Sequence, residues 1–414
     1  MEQVQQKNYT LPIIVMFALF FMVAFVTGLP SPMGVIVKAQ FGASNLQAQL
    51  GFMANFIAYA FMGIPAGMLL KKYGYKFTAL TAVTVGFIGV GVQCLSGVFE
   101  SFIYYLIGAF ISGFSMCLLN TVVNPMLNTL GGGGNKGNQL LQLGGSCNSV
   151  AATIVPILVG YLMGAEAGRT IEKAYPAMFI AMAIFAVAFI VLKVVEIPEP
   201  MAEQKDENIG VLSPLRFRHL VFGIIAIFIY VGVEIGIPST LNLYLTQEIG
   251  IDATIAGTAV GLYWLLMLVG RLIGGAIGAK VSTKTMMTVV STLGLILLLA
   301  GILSDSSTMV KIPFVESELP INAIFFVLCG LCTSIMWGGV FNLAVEGLGK
   351  YTAAASGLFM VMVCGGGIIP TIQGYVADAT TYLTSYWVMF ICIAYLLWYS
   401  LIGCKNVNKD IPVD

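Results

Sequence analysis

Charge is what this chain of 414 residues has least of. Asp, Glu, Lys and Arg make up 9% of it, whereas soluble domains carry about 25%. The 19 acids balance the 19 Lys and Arg, which argues against a nucleic-acid partner. Histidine occurs once, as His219; it follows Arg216 and Arg218 at the edge of an apolar segment and reads as an interfacial anchor. The 8 cysteines lie scattered inside apolar segments with no CxxC pair, so neither a disulfide framework nor a zinc site is indicated. Cys329 and Cys332 come nearest, at helical i, i+3 spacing. Enzyme signatures are missing too: no P-loop, no H-E-x-x-H, no nucleophile elbow and no metal-ligand cluster. Neither an enzyme nor a bound cofactor or metal is expected. The glycines Gly131 to Gly134, followed by Asn135-Lys136-Gly137, read as a turn between apolar segments and not as a phosphate cradle.

What is there is apolar surface: 58% of the residues are hydrophobic and the mean hydropathy is +0.94. No water-soluble core could use that much, so the chain is expected to be integral to a membrane. Hydropathy predicts about twelve spans of membrane length, at 11–38, 46–70, 77–97, 102–128, 138–164, 175–195, 219–245, 254–279, 284–304, 321–345, 352–378 and 383–404. The first runs past signal-peptide length and reads as a span. The most charged interval, 196–218, reads as a cytoplasmic linker between two six-helix bundles, 1–195 and 219–414. Lys and Arg concentrate on one side, among them Lys71, Lys72, Lys76, Lys136, Arg216, Arg218, Lys280, Lys284 and Lys405. The other side keeps Lys38, Arg169, Lys173 and Lys311. The positive-inside rule then places both termini in the cytoplasm.

The halves repeat. Gly28-Leu29-Pro30-Ser31 in the first span is echoed by Gly236-Ile237-Pro238-Ser239 in the seventh. Gly63 and Gly67 in the second are echoed by Gly274 and Gly278 in the eighth, both at small-xxx-small spacing. Pro156 and Gly160 in the fifth are echoed by Pro370 and Gly374 in the eleventh. Parallel repeats of this kind are expected to place a binding site at the midplane between halves, near helices broken in matching positions. The prolines point to spans one and seven.

Glu234 is the acid expected at mid-membrane depth. A carboxylate there costs roughly 2.5–3.5 kcal/mol on insertion scales, so it should face a bundle interior or a wet cavity. Tyr230 lies one turn before it; Pro238 and Asn242 follow at one-turn intervals on the same face. The remaining polar residues within spans form stripes. Asn120 and Asn124, with Asn128, line the fourth span; Gln142, Ser146 and Ser149, with Asn148, belong to the fifth. Thr27 and Ser31 line the first, and Asn55 and Tyr59 the second. Tyr263 lies in the eighth, Trp337 and Asn342 in the tenth, and Gln373 in the eleventh. Amides and hydroxyls beside aromatic rings suit an uncharged, hydroxyl-rich ligand, because amides donate and accept together and rings cover C–H faces. Each amide could equally tie two helices together. Arg271, the basic residue well inside a span, reads as a gate, with Glu346 as its candidate partner.

Several motifs together carry a resemblance. Pro65-Ala-Gly67-Met-Leu-Leu-Lys71-Lys72-Tyr-Gly74-Tyr-Lys76, Asn120-Thr-Val-Val-Asn124-Pro125, Tyr230-Val-Gly-Val-Glu234, Ser334-Ile-Met-Trp337 and Gly365-Gly-Gly-Ile-Ile-Pro370 are similar to those of the fucose–galactose–glucose:proton symporters, a family of the major facilitator superfamily. The resemblance implies a twelve-helix all-α membrane fold and a carrier that imports a sugar or sugar derivative by alternating access. It implies H+ as the usual coupling ion; Na+ coupling, uncoupled facilitation and another small polar solute remain open. A monomer in the bacterial inner membrane is expected. Lys71 and Lys72 stand where most facilitators have Asp-Arg, and with Arg271 and Glu346 they are the candidate gating residues. Ser31 and Asn120 stand where the fucose relative has two coupling acids, Gly145 where it has a glutamine, and Gly338 where relatives have proline. Coupling in this chain is therefore assigned to Glu234.

Overall fold

The computed structural model describes residues 9–28, 40–42, 45–163, 171–199, 210–251, 253–311, 315 and 317–413. Ten helices among the described residues are long and apolar enough to cross a membrane. One of these, Met53–Val98, has 46 residues, about twice the ~20 needed for one crossing. It belongs to the continuous run Asn45–Val98, which is interrupted at Gly74 (φ 84°). Counting its two limbs separately, and with the helix Gly134–Met163, the chain is consistent with twelve spans. Large apolar side chains lie exposed along these helices, among them Phe61, Ile190, Val289 and Ile391. Soluble monomers rarely leave such continuous apolar surface uncovered, and the protein is a multi-pass membrane protein.

The first span is Thr10–Gly28, and residues 29–39, including Ser31, lie outside the described set. The fourth is Phe102–Leu130 and the sixth Ile171–Val194. The seventh, Arg218–Leu243, ends in a π turn at Tyr244–Glu248. Ala253–Ile277 and Thr283–Leu303 form the eighth and ninth. Beyond the ninth, a short antiparallel pair joins Met309–Lys311 to Glu318–Pro320, with Val310 opposite Leu319. Hydropathy gave no sign of this hairpin. The last span is Tyr382–Trp398.

The expected break in the seventh span is not there. Pro238 sits inside a continuous helix. Its missing N–H frees the carbonyl of Glu234, four residues back, and the Tyr263 hydroxyl donates to that carbonyl at 3.3 Å. A donor from a neighbouring span lets a membrane helix keep its proline. Breaks occur instead in two spans predicted to be continuous. The tenth divides into Ile321–Thr333 and Met336–Val345. The eleventh divides into Thr352–Val361 and Gly365–Ala379 around a 3-10 turn at Met362–Cys364.

One face of the molecule gathers the start of the first span, both ends of the 196–218 segment and the C-terminal tail; we call it the terminal face. Here Glu199 accepts hydrogen bonds from the backbone N–H groups of Tyr75 (2.8 Å) and Lys76 (3.0 Å). The Lys76 ammonium donates to the carbonyls of Lys193 and Val195 at the end of the sixth span. The turn at Gly74 is thereby fixed to the chain that leaves the sixth helix.

The helices up to Val194 meet those from Arg218 onward along two glycine-lined seams. In one, Gly63 and Gly67 of the second span face Gly357 of the eleventh: a Cβ at Gly357 would fall 2.7 Å from the Gly63 carbonyl oxygen and 2.9 Å from the Gly67 Cα. In the other, Gly275 and Gly278 of the eighth span lie against the fifth. The Gln139 side chain donates to the Gly275 carbonyl at 2.9 Å, and a Cβ at Gly278 would come 3.2 Å from the Gln139 Cα. Backbones that approach so closely leave no room for a side chain. Gly357→Val should therefore force the first seam apart. A cysteine placed at Ala353, 3% exposed beside that seam, should react with maleimide several-fold faster in the Gly357→Val background than without it, in a protein lacking its native cysteines. Equal labelling rates would show that the glycine contact does not hold the seam.

Candidate functional site

Arg271 organises the interior. It lies six residues before the end of the helix Ala253–Ile277, is 6% exposed, and its guanidinium reaches inward. Nη2 meets Glu234 Oε1 of the seventh span at 3.1 Å. Nη1 donates to the Gly145 carbonyl (3.0 Å), to Ser149 Oγ (2.7 Å) and to Asn148 Oδ1 (3.4 Å), all on the fifth span. Nε donates to the Ser334 carbonyl of the tenth span at 3.1 Å. Four spans from both parts of the chain are joined by one side chain. It is the only ion pair among the described residues.

Arginine suits this place because its planar fork offers five N–H donors. The charge is balanced by one acid and the remaining donors by neutral oxygens, as a buried cation requires. The expected pairing with Glu346 is corrected: Glu346 is exposed on the terminal face, and its backbone carbonyl lies 3.1 Å from His219 Nε2. Arg271 extends toward the midplane and so reaches the deeper acid.

The break in the tenth span is part of the same arrangement. It leaves the carbonyls of Ser334 and Ile335 at the site. Arg271 Nε takes the first, and Gln142 Nε2 takes the second at 2.9 Å while also donating to Asn138 Oδ1 at 3.1 Å. Deeper still, the Tyr263 hydroxyl lies 2.9 Å from Thr333 Oγ1. Tyr230 is fully buried one turn before Glu234.

Beside this centre runs a second, uncharged network. Trp337 Nε1 donates to Asn124 Oδ1 at 2.9 Å. Asn124 Nδ2 donates to the Asn120 carbonyl at 2.7 Å and lies 3.3 Å from Asn120 Oδ1. Asn120 Nδ2 in turn donates to the Tyr59 hydroxyl at 2.9 Å. Tyr230 and Phe359 set their rings edge-on to that of Trp337, with centroids 6.4 and 6.3 Å away. Trp337 is half-buried, and Asn124, Asn120 and Tyr59 are buried.

Among the described residues, the remaining candidates stand apart from these two hydrogen-bonded networks. Asn342 donates to the Gly134 carbonyl at 2.9 Å and accepts from Thr283 at 3.0 Å, so it ties the tenth span to the start of the fifth. Gln373 is fully buried beside Gly236, with no hydrogen-bond partner for its amide. Asn55 is buried; its Nδ2 contacts the Gly51 carbonyl at 3.4 Å. Thr27 donates to the Val23 carbonyl of its own helix. Asn242 is exposed near the end of its helix, away from Glu234. Lys72 is exposed, its ammonium 5.0 Å from the Tyr73 ring centroid, and Lys71 is half-buried near the glycine seam. Sequence reasoning missed Thr333, Phe359 and the carbonyls of Gly145, Ser334 and Ile335. Backbone acceptors have no residue-type signature, and the helix break that frees the Ser334 carbonyl carries no proline.

The profile of the Major Facilitator Superfamily matches residues 16–371. The chain is similar to a glucose/galactose transporter of Brucella abortus, 29% identical over 416 residues, 98% of this chain and 97% of that one. It is also similar to an L-fucose-proton symporter of Escherichia coli, 24% identical over 402 residues, 91% of this chain and 89% of that one. Among solved structures, the crystal structure of the transporter FucP in the outward conformation superposes with a TM-score of 0.82 at 20% identity. That superposition covers 97% of this chain and 100% of the other.

Breaking the pair should cost more than deleting it. Glu234→Ala or Arg271→Ala leaves one buried charge unmatched, a loss of about 3–5 kcal/mol. The double variant Glu234→Leu/Arg271→Met should recover most of that loss in chemical unfolding of the purified protein. Additive losses in the double variant would mean that the two residues do not act as a pair.

Proposed function

The chain belongs to the Major Facilitator Superfamily, and on that footing we propose that it imports a sugar across the cytoplasmic membrane together with H+. The observation that carries the coupling is the Arg271–Glu234 contact at 3.1 Å. Residues 1–195 and 219–414 serve as the two halves of an alternating-access carrier, and 196–218 as the linker between them. Lysines and arginines concentrated at the terminal face support a cytoplasmic position for it and for both termini. The glycine seams then close the cytoplasmic side, as an outward-facing state needs. The similar proteins named as glucose/galactose and L-fucose carriers support a sugar as substrate.

The chemistry of the interior agrees with an uncharged sugar. Among the described residues the single buried cation is already matched by an acid, and no surplus buried charge awaits a carboxylate or phosphate. Trp337 supplies a half-buried ring of the kind that packs against a pyranose C–H face. Asn124, Asn120 and Tyr59 supply amide and hydroxyl partners next to it. Thr27, Asn148 and Gln142 line the first-half side of the site, and Tyr230, Tyr263 and Gln373 the second-half side. Asn55, Asn242 and Asn342 are assigned outer positions on the substrate route, and Ser31 is kept as a candidate ligand from the first span. Lys71, Lys72 and Glu346 border the cytoplasmic opening as gating residues. The carrier works as a monomer.

Coupling follows from the charge balance of the pair. Ionised Glu234 attracts Arg271, and Arg271 holds the fifth span to the eighth and tenth. Protonation of Glu234 removes the counter-charge and leaves a cation buried at a cost of several kcal/mol. The groups nearest Glu234 are Arg271, Tyr230 and Tyr263, so no second acid among the described residues can take over. The closed cytoplasmic seam is then weakened, and the halves can rock. Sugar and proton fluxes are linked if sugar binding favours the protonated form, and the linkage is reciprocal. A Na+ ion at the same carboxylate is disfavoured, because the guanidinium already occupies the place of a cation.

Glu234→Gln mimics the protonated acid. In proteoliposomes it should keep sugar binding and sugar counterflow close to wild type while losing accumulation driven by a pH gradient. If the variant still concentrates sugar under that gradient, the proton runs elsewhere and Glu234 is a ligand or a structural residue.

A further inference from the structure

On the outer surface of the second half, the eighth, ninth and tenth spans enclose a groove of about 240 Å³. Ile273, Gly274 and Ile277 form one wall and Thr285, Val289 and Leu293 the other, with Ser334 and Ile335 at its base. The walls are almost wholly apolar. From Thr285 to Leu293 the groove descends about 12 Å along its helix, at 1.5 Å per residue. It opens outward, since Ile273 is 51% and Val289 59% exposed, and at that depth the surroundings are hydrocarbon.

The terminal-face end of the groove is positively charged from two sources. The hairpin between the eighth and ninth spans carries Lys280 and Lys284, both exposed, and neither enters an ion pair among the described residues. Lys284 stands in the first turn of the ninth helix, which has no acid there. A helix N-terminus favours an anion and disfavours a cation, so this turn concentrates positive charge. Ser282 caps the helix by accepting from the Thr285 N–H at 3.1 Å. On the other side of Lys284 lies a second cavity of about 400 Å³, bordered also by Lys405, Asn406 and Glu346. Three lysines thus stand against one acid around the mouth of a greasy slot.

We propose that this groove binds one anionic phospholipid, with an acyl chain along Ile273, Val289 and Leu293 and the phosphate held by Lys280 and Lys284. Hydrocarbon supplies the fit for the walls, and a phosphodiester supplies the charge that the hairpin lacks. The base of the groove is the break at Ser334–Ile335, whose carbonyls hold Arg271 and Gln142. The bound chain therefore braces the outer side of the helix break that the transport site uses on its inner side.

Native mass spectrometry of the full-length protein with dioleoyl phosphatidylglycerol and dioleoyl phosphatidylcholine tests this. Wild type should retain one phosphatidylglycerol in preference to phosphatidylcholine. Each lysine near an anionic headgroup contributes about fivefold in affinity, so Lys280→Gln/Lys284→Gln should weaken that binding about twenty-five-fold, whereas Lys409→Gln on the tail should not. Val289→Phe, which fills the groove from an exposed position, should lower retention of phosphatidylglycerol with both lysines present; Leu293→Phe serves if Val289→Phe does not fold. Glycerol 1-phosphate should compete poorly, because it lacks the chain. Equal retention of the two lipids, a double-lysine variant that binds as wild type, or displacement by glycerol 1-phosphate would each overturn the proposal.

Discussion

A guanidinium held at 6% exposure inside a membrane protein needs a counter-charge and oxygen acceptors, and the interior gives Arg271 one acid and four neutral oxygens. Glu234 supplies the charge. The fifth span supplies a carbonyl, a hydroxyl and an amide oxygen, and the broken tenth span supplies another carbonyl. Removing any of these leaves a buried polar group unmet, which is costly where no water can substitute. The same contacts tie the two parts of the chain together on one side of the membrane, so the residue that senses charge is also a residue that holds the seam.

The seam itself is built from residues that bring backbones close. Gly357 lies against Gly63 and Gly67, and Gly278 against Gln139, in places where a Cβ would collide or crowd. Amides from the first half, Gln139 and Gln142, then reach carbonyls of the second half. Such an interface has few large side chains to disentangle when it opens. What it gains in closeness it leaves to a handful of hydrogen bonds to hold, among them those from Arg271 to the fifth span, and the Glu234 pair orients Arg271 from within its own part of the chain.

Much of this was legible in the sequence. Apolar run length gave the spans, and the repeated Gly-x-x-x-Gly spacing marked two close-packed surfaces, both of which face the opposite half. The depth of Glu234 singled it out, and the asparagine stripe does join Tyr59 and Trp337 in one network. Proline misled, because Pro238 reads as a break while Tyr263 satisfies the carbonyl it frees. The real breaks, at Ser334–Ile335 and Met362–Cys364, involve no proline, and the carbonyls at the first are met by Arg271 and Gln142 from other helices. Arg271 was paired with the wrong acid for a related reason. Sequence gives the depth of a Cα, but a long arginine side chain spans more than a helical turn from it.

The central claim is that the charge on Glu234, through Arg271, keeps the terminal face shut. Spin labels at Lys136 and Lys280, exposed near the ends of the fifth and eighth spans on either side of the seam between them, report its opening as a distance distribution by double electron–electron resonance. At a pH where wild type keeps Glu234 ionised, the wild-type protein should show the short distance and Glu234→Gln a longer one, with sugar increasing the difference. The same short distance in both proteins, with and without sugar, would contradict the account.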